Sequence, residues 1–376
     1  MDVVRGVVMV LMALDHARDF VGGWDQPNPT DLAVTTPFLF LTRFVTHYCA
    51  PTFVLLAGVS VWLAGKRRTR RELSWFLFTR GLWLVILEPT LVRFGFFVDL
   101  SYRFSMLQVI WVTGWSMVLL SLLVYLPAAA SAVFGLSMIC LHNLLDPIKA
   151  TSFGERAPLW RLFHEQGPLI QGEHFVFVAY PLVPWLGVLA AGYALGALLD
   201  GDPMRRRRIL LRLGTALTIA FFVLRAINVY GDPHPWSAQP RGTLFTVLSF
   251  FNCEKYPPSL CYLLVTLGPA LLLWGALETR TPGRVSRVLS VFGQVPLFYY
   301  LLHLYLTHIA VLLLCLPKIL GEPGWFQSTF MKIGGPGYSL PLTYASWAIT
   351  VAALYFPCRW FAGVKARNRA WWLSYL

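Results

Sequence analysis

The first apolar stretch of the chain carries four ionisable side chains close together: Asp15, His16, Arg18 and Asp19. A charged residue in the middle of a membrane helix costs about 2.5–3.5 kcal/mol on insertion scales, so such residues normally face a bundle interior or a water-filled cavity. At helical spacing Asp15 and Asp19 share one face, and His16 pairs with Asp19 at i+3. The stretch near residues 3–22 is therefore predicted to be a spanning helix that presents a polar stripe to its neighbours.

A proton-handling centre is predicted where the first two apolar stretches meet. Arg43 and His47 are four residues apart and share one face of the second stretch. An imidazole changes its charge near neutral pH, and a carboxylate beside it can hold it in one tautomer. We expect Asp15 and His16 to form this centre together with His47. A structural hydrogen bond is the alternative role for each histidine.

Further polar residues enter the other apolar stretches near the same side of the bundle. Tyr299 and His303 are one turn apart in the ninth stretch. Lys255 lies one turn before Ser259, where a cation and the amides of a helix end together suit an anion. Each residue could tie helices together, but collectively they indicate a polar cavity that opens outward. The remaining candidates are Arg103, Gln108, Arg225, Asn228 and Asp232.

The composition indicates that these residues belong to a membrane protein. Hydrophobic residues make up 57% of the 376 residues and charged residues only 13%, which is too apolar for a soluble domain of this size. We predict an all-α, polytopic bundle that forms a single domain over residues 1–376. About ten stretches reach the roughly 20 residues needed to cross a bilayer, namely 3–22, 42–65, 74–96, 104–125, 128–146, 175–199, 209–229, 257–277, 288–315 and 341–361.

Basic residues mark one side of the bundle as cytoplasmic. If the N-terminus is inside, most basic residues fall in the inner loops and at the inner helix ends, in clusters near 66–71, 205–212, 280–287 and 359–369. The positive-inside rule then predicts that both termini are cytoplasmic. It also predicts that residues 147–174 and 230–256 lie outside.

The net charge of +13 follows from the same asymmetry, because basic clusters at membrane edges fix topology and meet anionic headgroups. The expected partner is therefore the lipid bilayer and not a nucleic acid, for which the sequence offers no soluble domain. The six cysteines show no paired spacing and indicate small buried hydrophobic residues rather than metal ligands. We predict no metal site, and the sequence leaves a homodimer open.

Six segments follow one another in an order that resembles a known family. They read DVVRGVVMVLMALDH (2–16), APTFVLLAGVS (50–60), RFSMLQ (103–108), WLGVLAAG (185–192), KYPPS (255–259) and GQVPLFYYLLH (293–303). The pattern resembles a large group of bacterial membrane proteins that look related to heparan-α-glucosaminide N-acetyltransferase, within the transmembrane acyltransferase superfamily. The resemblance covers nearly the whole chain.

The resemblance implies transfer of an acetyl group from cytoplasmic acetyl-CoA to an acceptor, a sugar or amino sugar, across a bacterial inner membrane. The positions that match the family are Arg5, Gly6, Arg103, Gln108, Lys255, Ser259 and His303, while Asp15 falls where the enzyme has an asparagine. Two positions depart from it. Residues 23–36 lack the catalytic histidine of the family's first outer loop, and His47 replaces a family aspartate.

This chemistry requires a base, a partner that orients the base, and donors for the oxyanion. The candidate base is His16 or His47, with His303 as a further choice, and Asp15 or Asp19 would orient it. Gln108, Asn228 or Arg103 would donate to the oxyanion. Acetyl-CoA is expected to contact Arg103, Gln108, Lys255 and Ser259. The acceptor is expected to contact Asp19, Arg43, Arg225, Asn228 and Asp232.

Two other classes of protein fit part of the pattern. A secondary transporter would also contain intramembrane Asp, His and Arg residues, and the interrupted stretches at 88–95 and 293–296 suit one. The two halves of the chain show no inverted repeat, however. A non-catalytic scaffold would explain the hydrophobicity but not the charges of the first stretch.

Overall fold

A computed structural model describes residues 1–22, 27–322, 336–368 and 370–376. These residues form a helical bundle with one small sheet, so the predicted all-α class is confirmed apart from that sheet. The helices are α1 (Asp2–Ala17), α2 (Pro37–Thr46), α3 (Cys49–Gly65), α4 (Arg70–Leu87), α5 (Arg93–Phe97), α6 (Val109–Leu123), α7 (Ala128–Leu141), α8 (Ala157–Phe163), α9 (Leu182–Leu198), α10 (Pro203–Ile227), α11 (Thr243–Phe251), α12 (Leu260–Leu277), α13 (Arg284–Gln294), α14 (Pro296–Gly321) and α15 (Leu340–Arg367).

Seven helical segments in the described ranges are long and apolar enough to cross a membrane. They correspond to the second, third, fifth, seventh, eighth, ninth and tenth predicted spans. The other three coincide with α1, which has 16 residues and carries charges, and with the shorter apolar helices α6 and α9. By length and composition the structure therefore gives seven spans, where the sequence predicts about ten.

Two predicted spans begin differently from expectation. The sequence predicts helices that start at residues 104 and 175, but strands β1 (Phe104–Leu107) and β3 (Phe175–Val178) start there and pair in parallel. Strand β2 (Gly167–Ile170) joins β3 on its other side in antiparallel pairing. Short apolar runs cannot be assigned to helix or strand by periodicity alone. The sheet lies at the end of the bundle where α6 begins, because β1 is followed directly by Gln108, the residue before α6.

Glycines bring α1 very close to α13. A Cβ on Gly6 would lie 1.9 Å from the carbonyl oxygen of Leu289, and a Cβ on Gly293 would lie 1.9 Å from that of Asp2. Small residues allow this approach, which is a main source of helix association in membranes. Because α1 also packs against α3, α14 and α15, its polar residues are enclosed on several sides.

A buried carboxylate fixes the start of α6. The helix of α4 continues into a π-helical turn over Glu88–Val92 that contains Pro89. Glu88 is fully buried there, and its Oε2 accepts a hydrogen bond from the backbone N–H of Trp111 at 2.9 Å. The first N–H groups of a helix need such acceptors. Glu88 therefore holds the start of α6 in place, and with it Gln108.

Candidate functional site

A cavity of about 390 Å³ lies beside the C-terminal end of α1. Its polar lining comes from α1 and the turn that continues it, from α2, from the residue before α6, and from Asn28 and Gln166. Aromatic side chains from α5, the sheet and the loop before α12 form the rest of the wall. The main lining residues are Asp15, His16, Arg18, Asp19, Arg43, Gln108, Phe96, Phe97, Phe177, Tyr180 and Tyr256.

A smaller cavity of about 40 Å³ continues from the first along the groove between α1 and α3. The two cavities share four lining residues, namely Asp15, His16, Gln108 and Tyr180. Beyond them the smaller cavity is mostly apolar, with Met9 and Met12 on one side and Phe53 on the other. The shared residues therefore lie between a larger, polar space and a smaller, mostly apolar one.

Asp15 is the centre of an ion-pair cluster. Its carboxylate accepts two hydrogen bonds from Nη1 of Arg43, at 2.6 and 2.8 Å, and one from the hydroxyl of Thr46 at 2.9 Å. Arg18 lies 3.0 Å away and the Nζ of Lys255 lies 3.8 Å away. The carboxylate compensates the positive charges of these side chains, whose burial would otherwise be very unfavourable. We call Asp15, His16, Arg18, Arg43 and Lys255 the site cluster.

His16 pairs with His303 instead of with a carboxylate. The Nδ1 of His16 and the Nε2 of His303 are 2.6 Å apart, and the rings are stacked with centroids 4.9 Å apart. The Nδ1 of His303 lies 3.2 Å from the carbonyl oxygen of Tyr299, to which only a protonated nitrogen can donate. In the neutral pair, His16 therefore donates through Nδ1, and its Nε2 keeps a free lone pair at the cavity.

His47 occupies a different position from the one expected. It is buried, its Nε2 has no hydrogen-bond partner among the described residues, and it is not part of either cavity wall. Its carbonyl oxygen accepts a hydrogen bond from the hydroxyl of Tyr262 at 2.8 Å. Of the three residues predicted to meet, Asp15 and His16 lie side by side at the cavity. The imidazole that reaches His16 is that of His303.

Four other candidate residues hold together the segment between α10 and α12. Arg225 donates to the carbonyl oxygens of Phe250, His234, Ser249 and Asn252 at 2.8–3.1 Å. Asn228 bonds the backbone of Trp236 through both atoms of its amide group. Asp232 accepts from the N–H groups of His234 and Glu254, and from the hydroxyl of Ser259 at 2.7 Å. We call Arg225, Asn228, Asp232 and Ser259 the loop cluster.

The loop cluster positions the residues that follow it. Ser259 also accepts from the N–H of Tyr262 and so caps α12. With both ends of the loop fixed, Lys255 is held 7% exposed beside Asp15, and the ring of Tyr256 reaches the larger cavity. None of the loop-cluster residues lines either of the two cavities.

The remaining predicted residues also divide into those that line a cavity and those that do not. Gln108 borders both cavities, and Asp19 borders the larger one while pairing with Arg18 at 2.6 Å. Arg103 is exposed on the loop before β1 and lines neither cavity. Its carbonyl oxygen accepts a hydrogen bond from the N–H of Phe175, which aligns the sheet.

Four polar residues of the larger cavity were not predicted from the sequence. They are Asn28, Gln166, Tyr180 and Tyr256, and only Tyr256 stands beside a residue that the sequence singled out. Tyr180 follows a strand for which the sequence predicts a helix, so its direction could not be foreseen. Within the described ranges, no group of three or more His, Cys, Asp or Glu residues could hold a metal ion.

The fold and the site together define a class: a helical membrane protein with an ion-paired, histidine-containing cavity between its helices. The family described as heparan-alpha-glucosaminide N-acetyltransferase, catalytic, matches residues 1–227. The chain therefore belongs to this family of membrane acyltransferases. No curated protein sequence matches the chain. The matched region contains Asp15, His16 and Gln108, while Lys255 and His303 lie beyond it.

Proposed function

We propose that the protein transfers an acetyl group from acetyl-CoA, taken from the cytoplasmic side, to a sugar or amino sugar on the opposite side of a bacterial inner membrane. In this topology both termini are cytoplasmic. The observation that carries the proposal is the His16–His303 pair, in which His16 lines both the smaller, mostly apolar cavity and the larger, polar cavity. The family of the chain supports the type of reaction.

His16 acts as the general base in this proposal. The hydroxyl or amine of the acceptor attacks the thioester carbonyl carbon, and its proton passes to Nε2 of His16. The C–S bond then breaks, and the same proton returns to the sulfur of CoA. His303 acts as a positioning residue, since its Nε2 accepts from His16 and fixes the tautomer in which Nε2 of His16 is the basic atom.

Gln108 and Lys255 supply the electrostatic part of catalysis. Both line the smaller cavity beside His16. The side-chain amide of Gln108 can donate to an oxyanion, and the ammonium group of Lys255 adds a positive charge in a water-poor site. Glu88 and the loop cluster hold these two residues, respectively, so that the donors are in place before the substrate arrives.

The larger cavity suits a sugar ring. Its aromatic walls at Phe97, Phe177 and Tyr256 provide flat apolar surfaces, while Gln166 and Asp19 offer a few polar groups that can fix orientation. The carboxylate of Asp19 is 38% exposed and can also accept a hydrogen bond from the amino group of an amino sugar. The chemistry of the lining therefore favours a polar, ring-shaped acceptor over a lipid.

The test uses the purified full chain in lipid nanodiscs with radiolabelled acetyl-CoA and glucosamine. Acetylated sugar and free CoA should form together. His16→Gln should lower turnover by roughly 10²- to 10⁴-fold, the usual worth of a general base, while melting like the parent. His234→Gln is the matched control, because that imidazole is 72% exposed in a loop.

Two results would contradict the proposal. One is a parent protein that releases no CoA with any sugar offered, and the other is a His16→Gln variant that works at the parental rate. Uptake of unmodified sugar into proteoliposomes would instead support the alternative that the protein is a secondary transporter.

A further inference from the structure

The hydroxyl group of Tyr300, on α14, is a polar group without a partner at the smaller cavity. The side chain is 1% exposed and lines this cavity together with His16, Gln108 and Lys255. Its hydroxyl makes no hydrogen bond within the part of the chain that the structure describes. A buried tyrosine hydroxyl usually has a hydrogen-bond partner. An unused one beside a cavity therefore indicates a partner that arrives with a ligand.

Packing holds the ring of Tyr300 against both imidazoles of the site. The ring contacts His16 edge-on, with centroids 6.2 Å apart, and it contacts His303 in the same manner at 5.5 Å. Tyr300 and His303 are three residues apart, so both project from the same side of α14. Because the ring is enclosed, the direction of its C–O bond is set before any substrate binds.

The adjacent Tyr299 provides a comparison within the same helix. Its ring is fully buried and stacks on that of His303, with centroids 5.7 Å apart. Its hydroxyl oxygen also has no hydrogen-bond partner among the described residues. Tyr299 lines neither of the two cavities, however. The two tyrosines therefore differ in their access to the cavity, and not in burial or in the absence of a partner.

Acyl transfer provides a partner for a hydroxyl at this place. We propose that Tyr300 is a further catalytic residue, whose hydroxyl donates a hydrogen bond to the thioester oxygen in the transition state. This assignment rests on the proposed function, which names a thioester as the acyl donor. When the acceptor attacks the carbonyl carbon, the π electron pair of the C=O bond moves to the oxygen. The pair returns as the C–S bond breaks, and Tyr300 keeps its proton throughout.

Tyr300 complements Gln108 and Lys255, the other two hydrogen-bond donors of the smaller cavity. The charge of Lys255 is already opposed by the carboxylate of Asp15, 3.8 Å away. A neutral hydroxyl avoids the cost of burying a further cation. A fixed hydrogen-bond donor in a water-poor site acts most strongly when charge develops on the oxygen. The hydroxyl should therefore stabilise the transition state more than the bound acyl donor, so that it affects kcat and not binding.

The experiment compares Tyr300→Phe with Tyr299→Phe in the purified full chain in lipid nanodiscs. Each change removes one hydroxyl and keeps the ring, so both variants should melt like the parent. Tyr300→Phe should lower kcat by roughly 10²- to 10³-fold, the usual effect of removing one oxyanion donor. Its KM for acetyl-CoA, and its affinity for the uncleavable ketone acetonyl-CoA, should stay near the parental values. Tyr299→Phe is the matched control and should turn over at the parental rate.

Three results would overturn the inference while the proposed function stands. One is a parent that acetylates an acceptor together with a Tyr300→Phe variant that works at the same rate. Another is weaker binding of acetonyl-CoA to Tyr300→Phe with kcat unchanged, which would make the hydroxyl a contact of the ground state only. The third is an equal loss of kcat in Tyr299→Phe, which would assign the effect to the packing around His303.

The opposite outcome is also distinguishable. If the parent hydrolyses acetyl-CoA and acetylates no acceptor, the proposed function fails. A hydrolysis rate that falls in Tyr300→Phe and not in Tyr299→Phe would then still support the inference, because hydrolysis passes through the same oxyanion. A parent that does not cleave the thioester at all overturns both.

Discussion

The site cluster and the loop cluster contain the same kinds of side chain but use them in opposite ways. In the loop cluster, Arg225 and Asp232 direct their polar atoms mainly at backbone groups of one loop. In the site cluster, Asp15 balances cations from three parts of the chain. His16 keeps one nitrogen free at a cavity.

The difference shows what distinguishes a structural polar group from a reactive one in this bundle. Burial does not, because Arg225 is 2% exposed and Lys255 is 7% exposed. What differs is the partner. Backbone atoms fix Arg225, whereas Lys255 contacts side chains, with the Asp15 carboxylate 3.8 Å away and the ring centre of Tyr256 5.0 Å away, and has a cavity beside it. Unused hydrogen-bonding capacity next to empty space is the feature that marks a site.

The largest effect that distinguishes the loop cluster from the site cluster is expected for Arg225→Gln, and it is an effect on stability. Removing the charge leaves Asp232 without its cation and up to four carbonyl oxygens without a donor, so the free energy of unfolding should fall by about 3–5 kcal/mol. Turnover per folded molecule should fall as well, because the loop cluster also holds Lys255 at the smaller cavity. Denaturant unfolding in detergent measures the decrease, with Arg212→Gln on the exposed face of α10 as the control. Equal stability of the two variants would show that the loop cluster does not hold the loop.

A smaller effect, and on turnover alone, is expected for His303→Gln. The glutamine can accept a hydrogen bond from His16, but it fixes the imidazole less well, so kcat should fall by roughly 10²-fold. The KM for acetyl-CoA should remain near the parental value. Steady-state kinetics measures both, with His308→Gln on the same helix as the control. A change confined to KM would contradict the role of His303 as a positioning residue.

The smallest expected effect is a pH dependence of the protein's stability that comes from Glu254, in the loop before α12. Burial, together with the neighbouring Asp232 carboxylate, raises the pKa of Glu254 above its usual 4.5. The folded state therefore binds this proton more tightly than the unfolded state, so stability should fall as pH rises from about 4.5 through the raised pKa. Each tenfold difference in proton affinity between the two states corresponds to about 1.4 kcal/mol. Melting temperatures across this range should decline in the parent and less in Glu254→Gln, and identical slopes would refute the assignment.

Much of the fold could be predicted because hydrophobic length is a strong signal. The predicted positions of the segment Arg70–Phe97, of α10 and of α12 agree with the structure within several residues, since each contains a long apolar run between polar loops. The starts of β1 and β3 were missed. Their short apolar segments continue directly into the next apolar stretch, so no change of composition marks the end of the strand.

The site could be predicted only in part. The spacing of residues along one helix does not reveal which side chains of another helix will contact them. The polar face of α1 identified Asp15 and His16. The pairing of His16 with His303 depends on how α1 and α14 meet, which involves residues 287 positions apart. The sequence predicts acceptor binding for Arg225, Asn228 and Asp232 and donor binding for Ser259. Sequence alone does not show that these side chains are already occupied within the loop and at the start of α12.

The glycine contact between α1 and α13 has a consequence for tolerated changes in length. Gly6 and His16 are ten residues apart, and so are Gly293 and His303. The two segments thus touch at a glycine pair and again at a histidine pair, with equal lengths of chain between. Deleting one residue from the helix between Gly6 and His16 would rotate the imidazole by about 100° and move it about 1.5 Å along the helix. Relatives that share the proposed reaction should therefore vary in residue type between these points and never in residue number, which gives a way to recognise them among divergent sequences.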